Sequence, residues 1–349
     1  MKKLISLALV LLLVLAIPAF AEGGDQNGDG KIVVGYIAKN LTDPFHAPIN
    51  AYAQERMDAE VAAGTFDEWT GILDGNTDGP RQCDLAQDCI NQGCDYVIIL
   101  PCEAVASAPG VKAMADAGIK VVVVNSKTDN TDELAMCYCG SDDVFAGELM
   151  ANYVKEQLPE GGKYLHLQGV IGNSAQIQSG EGILNVLGGN DAWECVADVP
   201  CDWAADKATN AAQDYLAQFG DELVAIIADN DDMSSAAQRY CNGAGRADMV
   251  CIGVDGNQGP LQMVKNGELG AVVCDTLLAK NLCAVNPGLK CFELMNADGS
   301  MTIEQLGIMM KKGDAEFLAK IDGLLKQIVD DGSVDKWILE HTEKAAELD

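Results

Sequence analysis

The amino-acid sequence predicts an α/β protein of two lobes, each a parallel sheet with helices on both faces. Three observations predict it. Short apolar runs recur along the chain, helical patterns fall between them, and 349 residues at 48% hydrophobic content exceed what one ordinary core requires. Two lobes of about 150 residues each accommodate that length.

The apolar runs lie near Ile32–Ile37, Tyr96–Leu100, Lys120–Val124, Tyr164–Leu167, Val224–Ala228, Met249–Val254 and Ala271–Cys274. They are rich in Val and Ile and hardly alternate with polar residues, as expected of strands buried on both faces. Helical patterns lie near Ala47–Glu60, Gln82–Gln92, Ala104–Ala117, Val144–Gln157, Ala208–Phe219 and Met233–Ala244. Strand–helix alternation gives parallel pairing through helical crossovers. Ligands of such sheets bind beyond the carboxyl ends of the strands. The loops there are Lys39–His46, Asp74–Asp78, Pro101–Glu103, Asn125–Asn130, Asp229–Asp232 and Asp255–Gln258. Nearly all carry Asp, Asn or Thr, which either bond a polar, uncharged ligand or cap the next helix.

Residues 1–21, MKKLISLALVLLLVLAIPAFA, have the form of a cleavable export signal: two lysines, an apolar run, and Ala19-Phe20-Ala21 as the processing site. No stop-transfer segment follows and no Cys lies near the cleavage point. The expected location is therefore periplasmic or extracellular, without direct membrane insertion or a lipid anchor. Residues 22–30, EGGDQNGDG, read as a flexible lead. Asp25-x-Asn27-x-Asp29-Gly30 is the opening half of a calcium loop, but its twelfth position is Tyr36 in place of Glu, so no metal is expected.

The formal charge of −30 disfavours phosphate backbones and anionic lipid heads, so no nucleic acid is expected as a partner. Thirteen cysteines are an odd number. The spacings of Cys83, Cys89 and Cys94 and of Cys137-x-Cys139 fit no C-x-x-C pattern. Cys102, Cys251 and Cys274 sit where a core wants a small apolar residue, so buried, reduced thiols are expected, with a local Cys195–Cys201 disulfide as the open alternative. The loop after the first strand, KNLTDPF, is no phosphate loop. His46, His166 and His341 are the only histidine bases, and Ser174 lacks the second glycine of a nucleophile elbow. Neither catalysis nor a cofactor is expected.

The segments KIVVGYIAKNLTDPF, CINQGCDYVIILPCE, AGIKVVVVNS, YCGSDDVFAGELMANYV, LQGVIGNSAQIQSGEG, IIADNDDMSSAA and CIGVDGNQGPLQMVKNGELGAVV carry a family resemblance. Together with D-P-F, A-x-N-D-x-M and I-G-x-D-G, they make the chain from about residue 31 to about 285 similar to the ribose- and galactose-type periplasmic binding proteins. These are the sugar-capturing subunits of ABC importers. The resemblance implies the type 1 fold, two Rossmann-like lobes joined by a three-crossing hinge. Residues 31–141 plus about 276–300 would form the N-terminal lobe, and 142–275 plus about 301–312 the C-terminal lobe. It further implies a monomer that closes on a carbohydrate or polyol and hands it to membrane ABC permease subunits. The same fold also serves ligand-sensing receptors. The remaining segment, 313–349, resembles the C-terminal helices of type 2 amino-acid-binding proteins. Phe317, Leu318, Ile321, Leu324, Leu325 and Ile328 keep helical spacing there.

Site residues follow from the resemblance position by position. Asp43 falls where the family has Asn or Asp on sugar hydroxyls, and Phe45 on an aromatic that stacks on the ring. His46 stands where a second aromatic is common, with Lys39 as a nearby cation. Asn125 takes the usual Asp position after the fourth strand, and Ser126 replaces an Arg. Gln176 stands beside Ile177, where the family usually carries another Arg. Trp203 matches the opposing aromatic, Asn230 and Asp255 the polar contacts of the second lobe, and Asp275 a Gln or Asn at a crossing. Aromatic rings suit the C–H faces of a sugar, and carboxylates and amides its hydroxyl rim. With both arginines replaced, Asp43, Asp231, Asp255 and Asp275 stand near only Lys39 and Lys127. Such a set suits a sugar, a polyol or cyclitol, or a cationic solute such as an amino sugar.

Overall fold

Two sheets organise the chain, each inside its own unit, and the units part between Ser141 and Asp142. The structure is a computed structural model that describes residues 25–43, 45–274, 283 and 307–310. The export signal, Asp275 and the segment 313–349 lie outside the described residues.

In the first unit, β1 (Val33–Ala38), β2 (Glu68–Asp74), β3 (Tyr96–Ile99), β4 (Lys120–Val124) and β5 (Cys137–Gly140) pair in parallel. A further strand, β10 (Gly307–Met310), joins β5 antiparallel, giving the order β10-β5-β4-β3-β1-β2. Residues 307–310 were expected in the second lobe. They belong to the first sheet because their backbone groups complete the ladder of β5. The connecting helices are α1 (His46–Ala63), α2 (Gly79–Asn91), α3 (Ala108–Asp116) and α4 (Thr131–Leu134). Val34, Tyr36 and Ala38 of β1 pack with Ile49, Ala53 and Met57 of α1. Ile37 packs on the opposite face with Ala86 and Cys89 of α2 and Val111 and Met114 of α3. Both faces of the sheet are thus covered, which is why its central strands read as unbroken apolar runs.

The second unit holds β6 (Gly162–Gln168), β7 (Trp193–Pro200), β8 (Leu223–Ala228) and β9 (Val250–Ile252), all parallel in the order β7-β6-β8-β9. Its helices are α5 (Asp143–Gln157), α6 (Ser174–Leu187), α7 (Ala205–Phe219), α8 (Asp231–Gly243) and α9 (Gln258–Asn266). Leu165, Leu167 and Ile226 face Ala208 and Ala212 of α7 and Met233 and Ala237 of α8. Tyr164, Ala225 and Ile227 face Met150 and Val154 of α5 and Ile183 and Leu187 of α6. Helices α5 and α6 approach closely because Gly147 and Gly182 lack side chains. A Cβ on either would stand 2.1 or 2.0 Å from a carbonyl of the other helix. The strand expected at Ala271–Cys274 is a single bridge, Val254 to Val273.

Residues 25–30, read as a flexible lead, are tied down in the described structure. The Gln26 N–H donates to Asp95 Oδ1 (2.6 Å), Asn27 Nδ2 donates to the Gly93 carbonyl (2.8 Å), and Asp25 accepts the N–H groups of Gly28 and Gly30. Eight of the twelve described cysteines are buried, and Cys195 and Cys201 are not joined. Among the described residues no helix is long and apolar enough to cross a membrane, and no group of three or more His, Cys, Asp or Glu could hold a metal ion.

Candidate ligand-binding site

Backbone strain marks one edge of each sheet. Among the described residues, six other than glycine adopt positive φ: Asn76 (52°), Thr77 (53°), Asn125 (67°), Asp202 (51°), Trp203 (64°) and Asp255 (130°). Every one lies just beyond the carboxyl end of a strand, after β2, β4, β7 or β9. Such conformations cost on the order of 1–3 kcal/mol each and persist where the surroundings enforce them, commonly at ligand sites. Three of the six are residues the sequence singled out: Asn125, Trp203 and Asp255.

In the first unit the loop after β1 is built on Asn40 and Asp43. Asn40 Oδ1 accepts the Asp43 N–H (2.9 Å), and its carbonyl accepts Asn50 Nδ2 (2.7 Å). Asp43 Oδ1 accepts the N–H groups of Phe45 (2.8 Å) and His46 (3.4 Å), starting α1. Burial raises the Asp43 pKa, but His46, the Phe45 N–H and Lys39 outweigh it and hold the group at about 2. His46 is 3% exposed; its Nδ1 stands 3.5 Å from Asp43 Oδ1, and its Nε2 has no hydrogen-bond partner. Burial, helped by the Lys39 charge, lowers its pKa, so the ring is neutral at neutral pH. Phe45 meets His46 edge to face at 5.1 Å, and Lys39 is itself buried at 3% exposure. At the end of β4 the Asn125 carbonyl accepts the Tyr138 hydroxyl (2.8 Å), and Asn125 Nδ2 lies 3.3 Å from Oγ of the buried Ser126. The carboxyl edge of this one sheet thus gathers Lys39, Asp43, Phe45, His46, Asn125 and Ser126.

In the second unit the Trp203 ring lies against Gly169, where β6 ends. A Cβ on Gly169 would stand 2.2 Å from ring atoms Cη2 and Cζ2. Asn230 Oδ1 caps α8 through the Met233 N–H (2.9 Å), and its Nδ2 lies 3.5 Å from the Trp203 carbonyl. Gln176 is buried, with Oε1 accepting the Gly172 N–H (3.2 Å). Both residues therefore brace the loops of this edge with one of their polar atoms. Asp231 accepts the Gly256 N–H (2.8 Å), the Asn257 N–H (2.7 Å) and Asn257 Nδ2 (2.9 Å), fixing the loop that carries Asp255. Burial and the neighbouring Asp232 push its pKa up, against those three donors. Its carboxylate is thus spent inside the protein. Asp275 lies outside the described residues.

One polar group of this edge was not among the sequence-predicted site residues: His166, with Asp198, Asp229 and Ser179 around it. The signal was a histidine inside the apolar run KYLHLQ, since a ring buried in a two-sided strand needs polar partners.

The carboxyl edges of both sheets thus present aromatic, carboxylate and amide groups on strained loops, without a metal cluster among the described residues. A family model described as "Periplasmic binding protein domain" matches residues 34–276. The ribose import binding protein of Salmonella typhimurium is 27% identical over 293 residues, covering 83% of this chain and 93% of that protein. The xylitol-binding protein of Mycolicibacterium smegmatis is 30% identical over 216 residues, covering 62% of this chain and 60% of that relative's length. Among solved structures, an ABC transporter solute-binding protein from Bacillus halodurans with bound myo-inositol superposes with a TM-score of 0.64 at 22% identity. That match covers 84% of this chain and 99% of the other, and it bears on the fold. With the family model spanning most of its length, the chain belongs to the periplasmic binding protein domain family, a family of substrate-binding proteins rather than enzymes.

Proposed function

We propose that this protein is an exported solute-binding protein that captures a neutral sugar or polyol and delivers it to an ABC import permease. The observation that carries this reading is the strained carboxyl edge of each sheet. On the first sheet Asn125 is held in left-handed backbone at the edge that carries Asp43 and Phe45, and on the second sheet Trp203 and Asp255 are held so at the corresponding edge. Aromatic faces and amide or carboxylate groups match a molecule with C–H faces and a hydroxyl rim. Relatives named for ribose and for xylitol support the same class. The carboxylate excess that favoured a cationic solute is reduced in the structure. Asp231 is consumed by three N–H donors, and Asp43 is engaged by Phe45 and His46 beside a buried Lys39.

The test is a thermal-shift and calorimetric comparison of D-ribose, xylitol and myo-inositol against D-glucosamine and free amino acids. A ligand at a hundred times its Kd stabilises the folded state by about 2.7 kcal/mol, which is readily measured. A shift with a neutral polyhydroxy compound is expected. Stabilisation by the cationic or amino compounds alone would overturn the proposal.

A further inference from the structure

His166 sits in β6, 3% exposed, between the carboxylates of Asp198 on β7 and Asp229 just after β8. Its Nδ1 lies 2.8 Å from Asp198 Oδ1 and its Nε2 3.0 Å from Asp229 Oδ1. Ionised carboxylates only accept, so a ring held between two of them donates from both nitrogens, as an imidazolium. Asp229 has a fully buried side chain and takes two more donors, the Ser179 hydroxyl (2.5 Å) and the Gly169 N–H (2.8 Å). One carboxylate therefore collects bonds from β6, from the loop after β6 and from α6, while its own backbone leads from β8 into Asn230.

A buried ion pair stabilises a fold no better than apolar groups of the same volume. The preceding residue on the same face of β6 is Tyr164, which packs with Ala225 and Ile227, so an apolar residue would suit this face. What the pair supplies that an apolar residue could not is direction. Its bonds end on Gly169, against which the Trp203 ring lies, and on the residue preceding Asn230.

Resting on the solute-binding reading above, we propose that the His166–Asp229 pair is the positioning element of the second unit's ligand edge, setting Gly169, and through it Trp203, together with Asn230. Other titratable groups around the pair are Asp198 and Cys195 on β7 and Tyr164 on β6 beside His166, and Cys201, just after β7, beside Asp229. Burial raises Cys195 and Tyr164, and it raises Cys201 to about 11. Asp198 is held low by His166. Burial lowers the His166 pKa, but Asp198 and Asp229 together raise it to about 9.

The test uses His166→Gln, Asp229→Asn and the double variant, which replaces a charged pair by a neutral amide pair. Affinity is measured by calorimetry with D-ribose, xylitol and myo-inositol. Acrylamide quenching of Trp203 is followed from pH 7 to 10.5 in a background where Trp69, Trp193 and Trp337 are Phe. Each single variant is expected to lose at least tenfold in affinity while keeping its circular-dichroism spectrum, and the double variant to recover to within about threefold. Quenching of Trp203 should step near pH 9 in the parent and not in His166→Gln. Unchanged affinity in both folded single variants, or a step that persists in His166→Gln, would overturn the proposal. If the single variants do not fold, the parent's pH step decides, and a flat profile overturns it. If none of the three compounds binds, the solute-binding reading fails, while the quenching arm still decides the positioning role.

Discussion

Replacing Gly169 by alanine isolates one contact of the candidate site. The new Cβ would stand 2.2 Å from Cη2 and Cζ2 of Trp203 and 2.4 Å from Cε2, so the ring must retreat by roughly 1 Å to reach ordinary contact. The indole has little freedom to do so. Its backbone is already left-handed at φ 64°, and the body of the residue packs against the core of its unit. Overpacking of this kind costs about 1–3 kcal/mol of stability. Gly169 does not adopt positive φ, so backbone strain adds nothing and the whole effect is read as displacement of the ring. A sugar ring stacked on that indole would lose at least about 1.4 kcal/mol, a tenfold loss of affinity. The control is Gly180→Ala in α6, where the nearest atom to a new Cβ is His166 Cε1 at 3.6 Å, an ordinary contact. There the exchange should stabilise by about 0.5–1 kcal/mol through helix propensity and leave binding alone. Urea unfolding and calorimetry with the polyol that binds report both quantities. Gly169→Ala matching Gly180→Ala in stability, with parental affinity, would refute the placement of Trp203 against Gly169.

Trp203→Ala and Asp255→Ala should each weaken binding at least tenfold, about 1.4 kcal/mol, while the chain stays folded by circular dichroism; calorimetry checks both. Gly147→Ala should destabilise the second unit by about 1–3 kcal/mol in urea, because its Cβ would meet the Ser179 carbonyl at 2.1 Å. The two buried histidines should act on stability with opposite signs. His46 has its pKa lowered, so the unfolded chain takes up the proton first, and stability falls as pH drops below about 6.5; His46→Phe should flatten that acid limb. His166 has its pKa raised to about 9, so its contribution is complete below about 6.5 and is lost as pH rises through 9. That loss is on the order of 3 kcal/mol in urea melts, and it should be absent in His166→Gln.

The central strands were legible because both of their faces are buried. β1, β3, β4, β6 and β8 lie inside their sheets, and each is close to an unbroken apolar run. The strands that escaped notice are of another kind. β2 and β7 are edge strands, and their sequences EWTGILD and WECVADVP mix exposed and half-buried positions. β5, CYCG, is too short to register as a run. β10 could not be assigned to a unit from its sequence at all, since its place depends on a backbone ladder with a strand about 170 residues earlier, and ladder pairing is indifferent to side-chain type.

The site divided along a similar physical line. Loop positions such as Asp43, Trp203 and Asp255 could be named because the family resemblance points to them and their residue types suit a hydroxylated ring. What those polar groups do on the protein side could not be read in the same way. Asp231 belonged on paper to an acidic ligand surface, yet it spends its carboxylate on the N–H groups of Gly256 and Asn257. His166 was counted only as an available base, yet it is buried between the carboxylates of Asp198 on β7 and Asp229 just after β8. In both cases the partners are remote in sequence: 25 positions from Asp231 to Gly256 and 63 from His166 to Asp229. A list of carboxylates therefore overstates the negative charge offered to a ligand wherever strand ends converge. Each carboxylate needs its nearest N–H donors before it can be counted toward a solute. Applied here, that correction weakens the cationic alternative against a neutral sugar or polyol, the comparison on which the proposed binding panel turns.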